Sequence, residues 1–451
     1  MQDKIFIKKS HISGITRSYP SKSYIQRALI LGLLNRNSTV IYNYGRSDDS
    51  EAVYRAVKKL GAKITRSGNV VGIKGPDGFI TNTVFCNASG LCLRLFAPVL
   101  ALMPSEKKIL GTSGLLRRGN EYICDILAQL GVDCKLQNEF LYLKGCLTCG
   151  TVRMDGPSGS QIVSGLLFAL SMIEGSSRII IKNPVSLPYI SMTADMLNRF
   201  GAEIRTESEG NIYIKGGCRF IQGSIHIEGD WSSAAFMLTA GAISGNVTVK
   251  GLNPDSLQPD SEILRYLKKA GAEVEINGTS VGVTRSALKA FTADIKHSPD
   301  LFIPLVILAL NCEGESKINN IGRLKYKESD RPASILRELT KAGADIKIKK
   351  DQIVVRGSKL KYAVLDPCND HRLAMGFSVA ALNSSEGLSI KNFHCVNKSF
   401  PLFYKELMAL KGARPLLLSR RGSQLAGGHH QRRRHRQDAP VDERDPHHGG
   451  P

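Results

Sequence analysis

Five polar motifs directly precede apolar helical patterns, and their residues are suited to binding anions. The motifs are PSKS (20–23), NASG (87–90), GPSGSQ (156–161), KESDRP (327–332) and NDHR (369–372). The start of a helix exposes unpaired N–H groups, which makes such loops ready anion sites. Ser, Asp and Asn are also ordinary N-caps, so no single motif is decisive.

Cations in and around these loops are not explained by capping. They are Lys22, Arg27, Arg94, Arg118, Lys327, Arg331, Arg372 and Lys398. A cation at a helix start opposes the helix dipole, so an external anion is expected to compensate it. The sequence therefore predicts one site for more than one anionic group.

The motif SKSYIQR (21–27) places two polar side chains on one helical face. Ser23 and Arg27 lie at i and i+4, so both can contact one ligand. A Walker A loop needs several glycines at fixed spacing before the Lys, but only Gly14 lies nearby upstream. His371 lacks a partner at HxxH or HExxH spacing. Nucleotide-triphosphate and metal sites are therefore not predicted here.

The elements that position these loops form a repeat. A helical pattern ending in Gly followed by a small residue recurs at Gly61, Gly131, Gly201, Gly271, Gly343 and Gly412, with spacings of 70, 70, 70, 72 and 69 residues. Glycine is expected there because it accepts the left-handed conformation that ends a helix. A β-prone run follows each of the first five. We expect six units, each of two helices and several short strands, grouped as two domains of three units.

Length and composition favour a multidomain cytoplasmic protein. The 451 residues are 42% hydrophobic, enough for more than one core. No apolar run reaches the roughly 18 residues of a membrane span. The N-terminal sequence MQDKIFIKKSHISG lacks the features of a secretory signal. The ten scattered cysteines predict free thiols, and Cys146 and Cys149 lack the second pair of a zinc site.

The net charge of +21 indicates either nucleic acid or small acidic ligands as partners. Residues 414–451 contain eight Arg against four acidic residues and are predicted to be a disordered basic tail. A basic nucleic-acid-associated protein is one alternative function. That tail has no aromatic residue for base stacking, which counts against this alternative.

Taken in order, the motifs resemble the 5-enolpyruvylshikimate-3-phosphate (EPSP) synthase family. The resemblance extends over about residues 10–412 and rests on PSKS…R, SG…R, SGSQ, SLPYI, EGDWSSAAF, SLQPD, SPD, KESDR, NDHR and NKSFP. It implies an α/β fold, a two-domain inside-out α/β barrel with three βαβαββ repeats in each domain. Residues 1–19 plus 228–413 would form the lower domain, and 20–227 the upper domain.

The resemblance also implies the reaction. The family transfers the enolpyruvyl group of phosphoenolpyruvate to the 5-hydroxyl of shikimate 3-phosphate and releases phosphate, on the route to chorismate and aromatic amino acids. It uses neither metal nor organic cofactor. We expect a monomer that binds small anionic substrates, without membrane or nucleic-acid partners. The sister enzyme acting on UDP-N-acetylglucosamine is a second alternative, although its N-terminal motif has Lys-Asn where this chain has Lys22-Ser23.

The site residues are those that match the family's motifs. For shikimate 3-phosphate the resemblance implies Lys22, Ser23, Arg27, Ser160, Gln161, Ser186, Tyr189, Asp300 and Lys327. Of these, Ser23 and Arg27 would bind the carboxylate, and Lys327 would lie on the hydroxyl side. The phosphate and ring would be bound by Ser160, Gln161 and Ser186. For phosphoenolpyruvate it implies Lys22, Gly90, Arg118, Gln161, Arg331, Arg372 and Lys398. Asp300 would be the base for the 5-hydroxyl. Glu328 would exchange a proton with the methylene, assisted by Lys22.

Five positions depart from the family pattern. Gly159 stands where many members have a phosphate-binding Ser, and Arg323 where some have a substrate-contacting Asn. Ala88, Gln26 and Gly119 replace the more usual Asn or Glu, His or Asn, and Pro. These changes remove no charged catalytic group, but they can alter substrate affinity.

Overall fold

The computed structural model describes residues 3–137, 139–156 and 159–410. The predicted basic tail, 414–451, lies outside the described residues. Within the described ranges, no helix is long and apolar enough to cross a membrane.

Short strands and helices alternate along the chain. The strands are β1 (Lys4–Ile7), β2 (Ile12–Arg17), β3 (Thr39–Tyr42), β4 (Lys63–Ser67), β5 (Val70–Lys74), β6 (Thr83–Phe85), β7 (Lys107–Leu110), β8 (Asp133–Leu136), β9 (Phe140–Lys144), β10 (Thr151–Asp155), β11 (Ser176–Lys182), β12 (Glu203–Ser208), β13 (Asn211–Lys215), β14 (Gly223–His226), β15 (Gly245–Lys250), β16 (Glu273–Asn277), β17 (Ser280–Thr284), β18 (Thr292–Asp294), β19 (Glu315–Asn319), β20 (Asp345–Lys349), β21 (Gln352–Arg356), β22 (Val364–Leu365) and β23 (Leu388–Lys391).

The α-helices are α1 (Lys22–Leu34), α2 (Asp48–Lys59), α3 (Gly90–Leu100), α4 (Ser113–Leu116), α5 (Tyr122–Ala128), α6 (Ser160–Met172), α7 (Leu187–Arg199), α8 (Trp231–Ser244), α9 (Ile263–Lys269), α10 (Phe302–Ala309), α11 (Arg331–Lys341), α12 (His371–Ala381) and α13 (Phe403–Ala409). The described residues also include the 3-10 turns Pro259–Glu262, Pro299–Leu301, Gly322–Tyr326 and Phe393–Lys398.

The strands form six small sheets, which confirms the predicted α/β class. Five sheets have four strands, in the orders β14-β3-β5-β4, β6-β7-β9-β8, β10-β11-β13-β12, β16-β17-β15-β2 and β18-β19-β21-β20. In each, one edge strand is parallel to its neighbour and the other pairs are antiparallel, as in β10-β11-β13-β12. The sixth sheet is β1-β23-β22. This recurrence is the structural form of the sequence repeat.

Two of the four-stranded sheets are completed by strands distant in sequence. Strand β14 lies parallel to β3, with Gly223 opposite Thr39. Strand β2 lies parallel to β15, with Ile12 opposite Gly245. The chain therefore leaves one group of three sheets after β2 and returns to it after β14.

Buried hydrophobic residues form two clusters that follow this exchange. One runs from Ile25 to Ile227, and the other joins Ile7 and Ile12 to residues between Trp231 and Leu410. We propose that the clusters mark two domains, 1–19 plus 228–413 and 20–227.

Three apolar helices occupy the centre of each cluster. Every residue of α8, α10 and α12 is buried, and most residues of α1, α3 and α6 are buried. Helices that are hydrophobic all round must be enclosed, so the sheets and amphipathic helices such as α2 and α11 surround them. In each cluster the three apolar helices therefore lie inside, and the strands lie outside them.

The repeated glycines end helices as predicted. Gly61, Gly131, Gly201, Gly271 and Gly343 all have positive φ, between 83° and 106°. A strand follows each of them, namely β4, β8, β12, β16 and β20. Gly412 lies outside the described residues.

One cysteine prediction is wrong. The sequence predicted free thiols throughout, but Cys124 on α5 is bonded to Cys134 on β8, with 4.8 Å between their Cα atoms. Helix α5 packs against β8, which brings the two residues together. Cys146 and Cys149 are exposed thiols.

Candidate active site

A cavity of about 590 Å³ collects the predicted site residues. Its lining includes Lys22, Ser23, Arg27, Gly90, Arg118, Ser160, Gln161, Ser186, Tyr189, Asp300, Lys327, Glu328, Arg331 and Arg372. Lys398 does not line the cavity, but its ammonium contacts the lining residue Asp49. The lining side chains come from helices of both hydrophobic clusters.

Helix starts supply most of this lining. Lys22, Gly90, Ser160 and Arg331 are the first residues of α1, α3, α6 and α11, and Arg372 is the second of α12. Their N–H groups and positive dipole ends therefore meet at one cavity, an arrangement that attracts anions. The lining contains eight Lys and Arg side chains against four carboxylates.

Asp49 joins two of the predicted phosphoenolpyruvate ligands. Its carboxylate accepts from Lys22 Nζ at 2.9 Å and from Lys398 Nζ at 2.5 Å. Lys398 also donates to the Ala88 carbonyl at 2.9 Å. Burial raises the pKa of Asp49, but the ammonium groups of Lys22 and Lys398 outweigh it, so the pKa lies below its usual value. This carboxylate stays ionised and holds the two cations together.

Arg331 is the centre of a second network. Its guanidinium donates to Asp300 Oδ1 at 2.9 Å, Glu328 Oε2 at 3.0 Å and Asp370 Oδ2 at 2.8 Å. Arg372 donates to the other oxygen of Asp300 at 2.9 Å. The side chain of Arg331 is only 1% exposed, and the three carboxylates neutralise its buried charge.

The two proposed acid–base carboxylates are ionised in this arrangement. Burial raises the pKa of Asp300, but Arg372, Lys327 and Arg331 together bring it well below its usual value. For Glu328 burial is likewise outweighed, by Arg331 and Arg118, and its pKa is well below the usual range. Arg118 Nη1 lies 3.7 Å from Glu328 Oε1. An ionised Asp300 suits a general base, whereas Glu328 must gain a proton before it can donate one.

Arg27 is buried against neutral oxygens. It donates to Thr193 Oγ1 at 2.7 Å, Ser164 Oγ at 3.1 Å and the Ser23 carbonyl at 3.0 Å. Within the described part of the chain, no carboxylate lies at salt-bridge distance from it. Burial lowers the pKa of Arg27 to about 10. Its charge is therefore available for an anionic ligand.

Gln161 is oriented by a cation and an amide behind it. Arg94 Nη1 donates to Gln161 Oε1 at 2.8 Å, and Arg94 Nη2 donates to Asn120 Oδ1 at 2.7 Å. Asn120 is itself held by its donation to the Leu115 carbonyl at 2.9 Å. Because the amide oxygen of Gln161 accepts from Arg94, the amide NH₂ group of Gln161 is left to donate to a ligand.

Ser186 and Tyr189, which were predicted to lie near the acceptor ring, are between the two clusters. Ser186 precedes α7 with φ of 55° and donates its N–H to the Lys296 carbonyl at 3.3 Å. The Tyr189 hydroxyl donates to Asp260 Oδ2 at 3.0 Å. Burial, with the nearby charge of Asp300, raises the pKa of Asp260 to about 7.

Comparison with known proteins gives the family. The model of EPSP synthase, 3-phosphoshikimate 1-carboxyvinyltransferase, matches residues 7–407. The chain belongs to the EPSP synthase family. The 3-phosphoshikimate 1-carboxyvinyltransferase of Clostridium kluyveri is 34% identical over 414 residues, covering 90% of this chain and 97% of that protein. The protein of the same name from Methanocorpusculum labreanum is 30% identical over 418 residues, covering 90% and 98%.

Solved structures share the fold of this EPSP synthase family member. The EPSP synthase of Acinetobacter baumannii has a TM-score of 0.75 and 24% identity, over 90% of this chain and 98% of that one. The enolpyruvyl transferase NikO of Streptomyces tendae has the same TM-score at 15% identity, over 91% and 98%. At these identities the likeness shows the fold alone.

Several residues in or behind the cavity of this EPSP synthase family member were not predicted as site residues. Asp49 lines the cavity, whereas Asn120 and Asp260 contact cavity side chains from outside the lining. The local signals are the acidic start of α2, SDDSE (47–51), which also reads as an N-cap, and the motif SLQPD (256–260), which contains Asp260. His371, for which a metal role was not predicted, lines the cavity, and burial lowers its pKa well below the usual value, so the ring is neutral.

Proposed function

We propose that this chain transfers the carboxyvinyl group of phosphoenolpyruvate to the 5-hydroxyl of shikimate 3-phosphate, releasing phosphate in the shikimate pathway. The observation that carries the proposal is one cavity in which the residues expected for both substrates lie together. Its excess of cations over carboxylates suits two multiply charged anions. The relatives named for this reaction cover the chain almost from end to end.

The ring acceptor is bound by its charged groups. We assign its carboxylate to Ser23 and Arg27, since Arg27 is a buried cation with neutral partners and can grip a carboxylate with two hydrogen bonds. Ser160, Gln161 and Ser186 face the phosphate and ring, with Tyr189 nearby and Lys327 on the hydroxyl side. Arg94 fixes the amide of Gln161, and we assign its NH₂ group as a donor to both substrates.

Phosphoenolpyruvate is bound by the networks around Asp49 and Arg331. Lys22, Arg118, Arg331, Arg372 and Lys398 supply its cationic contacts, with the Gly90 backbone close to it. These cations have carboxylate partners in the structure. The incoming anion competes for them and thereby weakens the hold of Arg331 and Arg118 on Glu328. The pKa of Glu328 then rises, which prepares it as a proton donor.

The reaction follows from these positions. Asp300 takes the proton of the 5-hydroxyl while the oxygen bonds to C2 of phosphoenolpyruvate and Glu328 gives a proton to C3. The resulting tetrahedral intermediate loses the C3 proton to Glu328 and phosphate leaves from C2. The cations stabilise charge that moves onto the leaving phosphate. Acid–base catalysis of this type typically contributes about 10²–10⁴-fold.

A coupled phosphate-release assay tests the function. We expect phosphate only when shikimate 3-phosphate and phosphoenolpyruvate are both present. Reactions that omit either substrate are the controls, and they also report any phosphatase activity. Phosphate release with UDP-N-acetylglucosamine as the acceptor, and none with shikimate 3-phosphate, would contradict the proposal. The cytoplasmic location, monomeric state and lack of nucleic-acid partners expected from the sequence remain predictions.

A further inference from the structure

Arg323 is a cavity cation to which the proposed mechanism gives no task. It lies on the 3-10 turn Gly322–Tyr326 and lines the cavity. Its Nη1 donates to Ser186 Oγ at 2.9 Å, and its Nη2 to the carbonyls of Ile295 at 3.2 Å and Lys296 at 2.5 Å. Its Nε is buried with no hydrogen-bond partner among the described residues.

The charge of Arg323 is not neutralised locally. The partners named above are a hydroxyl and two carbonyls, and the described residues place no carboxylate at salt-bridge distance. Burial lowers the pKa of this guanidinium, with the more distant Asp300 opposing the decrease. A buried charge with neutral partners is costly. An anionic ligand group beside it would remove that cost.

The bond to Ser186 fixes the direction of a second donor. A guanidinium can only donate, so Ser186 Oγ accepts from Arg323 and its own proton is directed elsewhere. Ser186 also lines the cavity. Arg323 thus makes Ser186 a hydrogen-bond donor, which suits a ligand oxygen carrying negative charge.

Among the charged groups of the ring acceptor, the phosphate is the one that has no cation assigned to it, so we consider it as the ligand of Arg323 and Ser186. Four cavity cations lack a carboxylate partner in the described residues: Arg27, Arg94, Arg323 and Lys327. Arg94 is already engaged, because it donates to the side-chain oxygens of Gln161 and Asn120. Arg27 is assigned to the acceptor's carboxylate and Lys327 to its hydroxyl side. At Gly159, on the loop before α6, an added Cβ would meet nothing within 4 Å among the described residues, so Gly159 itself contributes neither a side chain nor a hydroxyl to that edge of the cavity.

We propose that Arg323 is a specificity-determining residue, which selects a phosphorylated ring acceptor over its unphosphorylated counterpart by placing a cation at the phosphate and holding Ser186 as a donor to it. This inference rests on the proposed function. It assigns to Arg323 a discrimination between two acceptors, not a step of the chemistry.

Binding of shikimate 3-phosphate and of shikimate, measured by calorimetry, tests the inference without requiring turnover. We expect Arg323→Gln to reduce the preference for the phosphorylated acceptor about 10- to 100-fold, as for loss of a charged hydrogen-bond donor. Affinity for shikimate should change less than about threefold. Lys325→Gln, which removes one charge from an exposed position of the same turn, is the matched control and should leave the preference unchanged.

A second variant guards against misfolding. Arg323→Lys keeps the charge but not the fork that reaches Ser186 and the carbonyls, so it should retain an intermediate preference. If Arg323→Gln does not fold, the preference of Arg323→Lys decides: a value equal to that of the wild type overturns the inference.

Other results are equally decisive. Equal weakening of both acceptors would show that Arg323 only supports the local fold, and an unchanged preference would show that it does not contact the phosphate region. A wild-type protein that binds no shikimate 3-phosphate would overturn the proposed function itself. That failure is distinguishable, because it appears before any substitution is made.

Discussion

The protonation of Lys327 should set the alkaline limit of substrate capture. Burial, together with the neighbouring charges of Arg331 and Arg323, lowers the pKa of this ammonium to about 8, and the charge of Asp300 opposes the decrease. With that pKa, about a tenth of the lysine is neutral at pH 7 and about nine tenths at pH 9. The cationic form exists below this pKa and is lost as the pH rises, so the affinity for an anionic acceptor falls on the alkaline side.

The size of the effect follows from the bond that changes. A charged donor contributes about 1.5–3 kcal/mol and a neutral one about 1 kcal/mol. Deprotonation should therefore lower kcat/KM for shikimate 3-phosphate about tenfold between the two plateaus. Because kcat/KM reports the free enzyme, its midpoint should lie near pH 8. In the substrate complex the added negative charge raises the pKa of Lys327, so the alkaline fall in kcat should come at higher pH.

The measurement is a pH profile of phosphate release from pH 6 to 10 for the wild type, Lys327→Arg and Lys325→Arg. An arginine at position 327 keeps its charge through the expected midpoint near pH 8, so Lys327→Arg should have lower activity but no fall near that pH. Lys325→Arg, on the exposed part of the same turn, should keep the wild-type profile. The reasoning fails if wild-type kcat/KM is flat to pH 9.5, or if Lys327→Arg retains the same midpoint.

Two further predictions concern catalysis and packing. Asp300→Asn and Glu328→Gln should each lower kcat by about 100-fold or more, whereas the KM values should change far less. Near-normal turnover in either variant would contradict the proposed role of that residue. A thermal melt of each variant is the control for folding. Gly165→Ala should lower the melting temperature, because an added Cβ would lie 2.5 Å from the Arg94 carbonyl where α3 and α6 cross, and overpacking of this kind costs about 1–3 kcal/mol. Gly114→Ala is the control, because Gly114 also lies in a helix but an added Cβ there would meet nothing within 4 Å in the described part of the chain. Equal losses in the two variants would show that the crossing is not tightly packed.

The repeat could be predicted because its signals are local. A helix that ends at Gly61 or Gly131 needs a left-handed residue whatever its neighbours are. The same holds for the cations at helix starts, whose conflict with the dipole is visible in the sequence itself. These two signals were enough to predict six units and an anion site.

The remaining features depend on contacts between distant residues. Asp49 lies 27 residues from Lys22 and 349 from Lys398 along the chain, so no local pattern connects them. The pairing of β2 and β14 with strands distant in sequence likewise could not be predicted, because the alternating pattern of a strand does not specify which strand it pairs with. The bond between Cys124 and Cys134 follows from the packing of α5 on β8, which only the fold defines.

The arrangement of the helices explains why carboxylates accompany the cations. Enclosing three apolar helices in each cluster brings the starts of several of them, with their positive dipole ends, to one cavity. Cations added there would repel one another and the dipoles in the absence of substrate. Asp370 offsets that repulsion from behind the cavity surface and Asp49 offsets it from within the lining, and Asp300 and Glu328 also lie on the surface. In the proposed mechanism, an arriving anion displaces Asp300 and Glu328 from Arg331 and frees them for proton transfer, while Asp49 and Asp370 keep the cations in place. The charges that bind the substrate would then also control when the proposed acid and base can act.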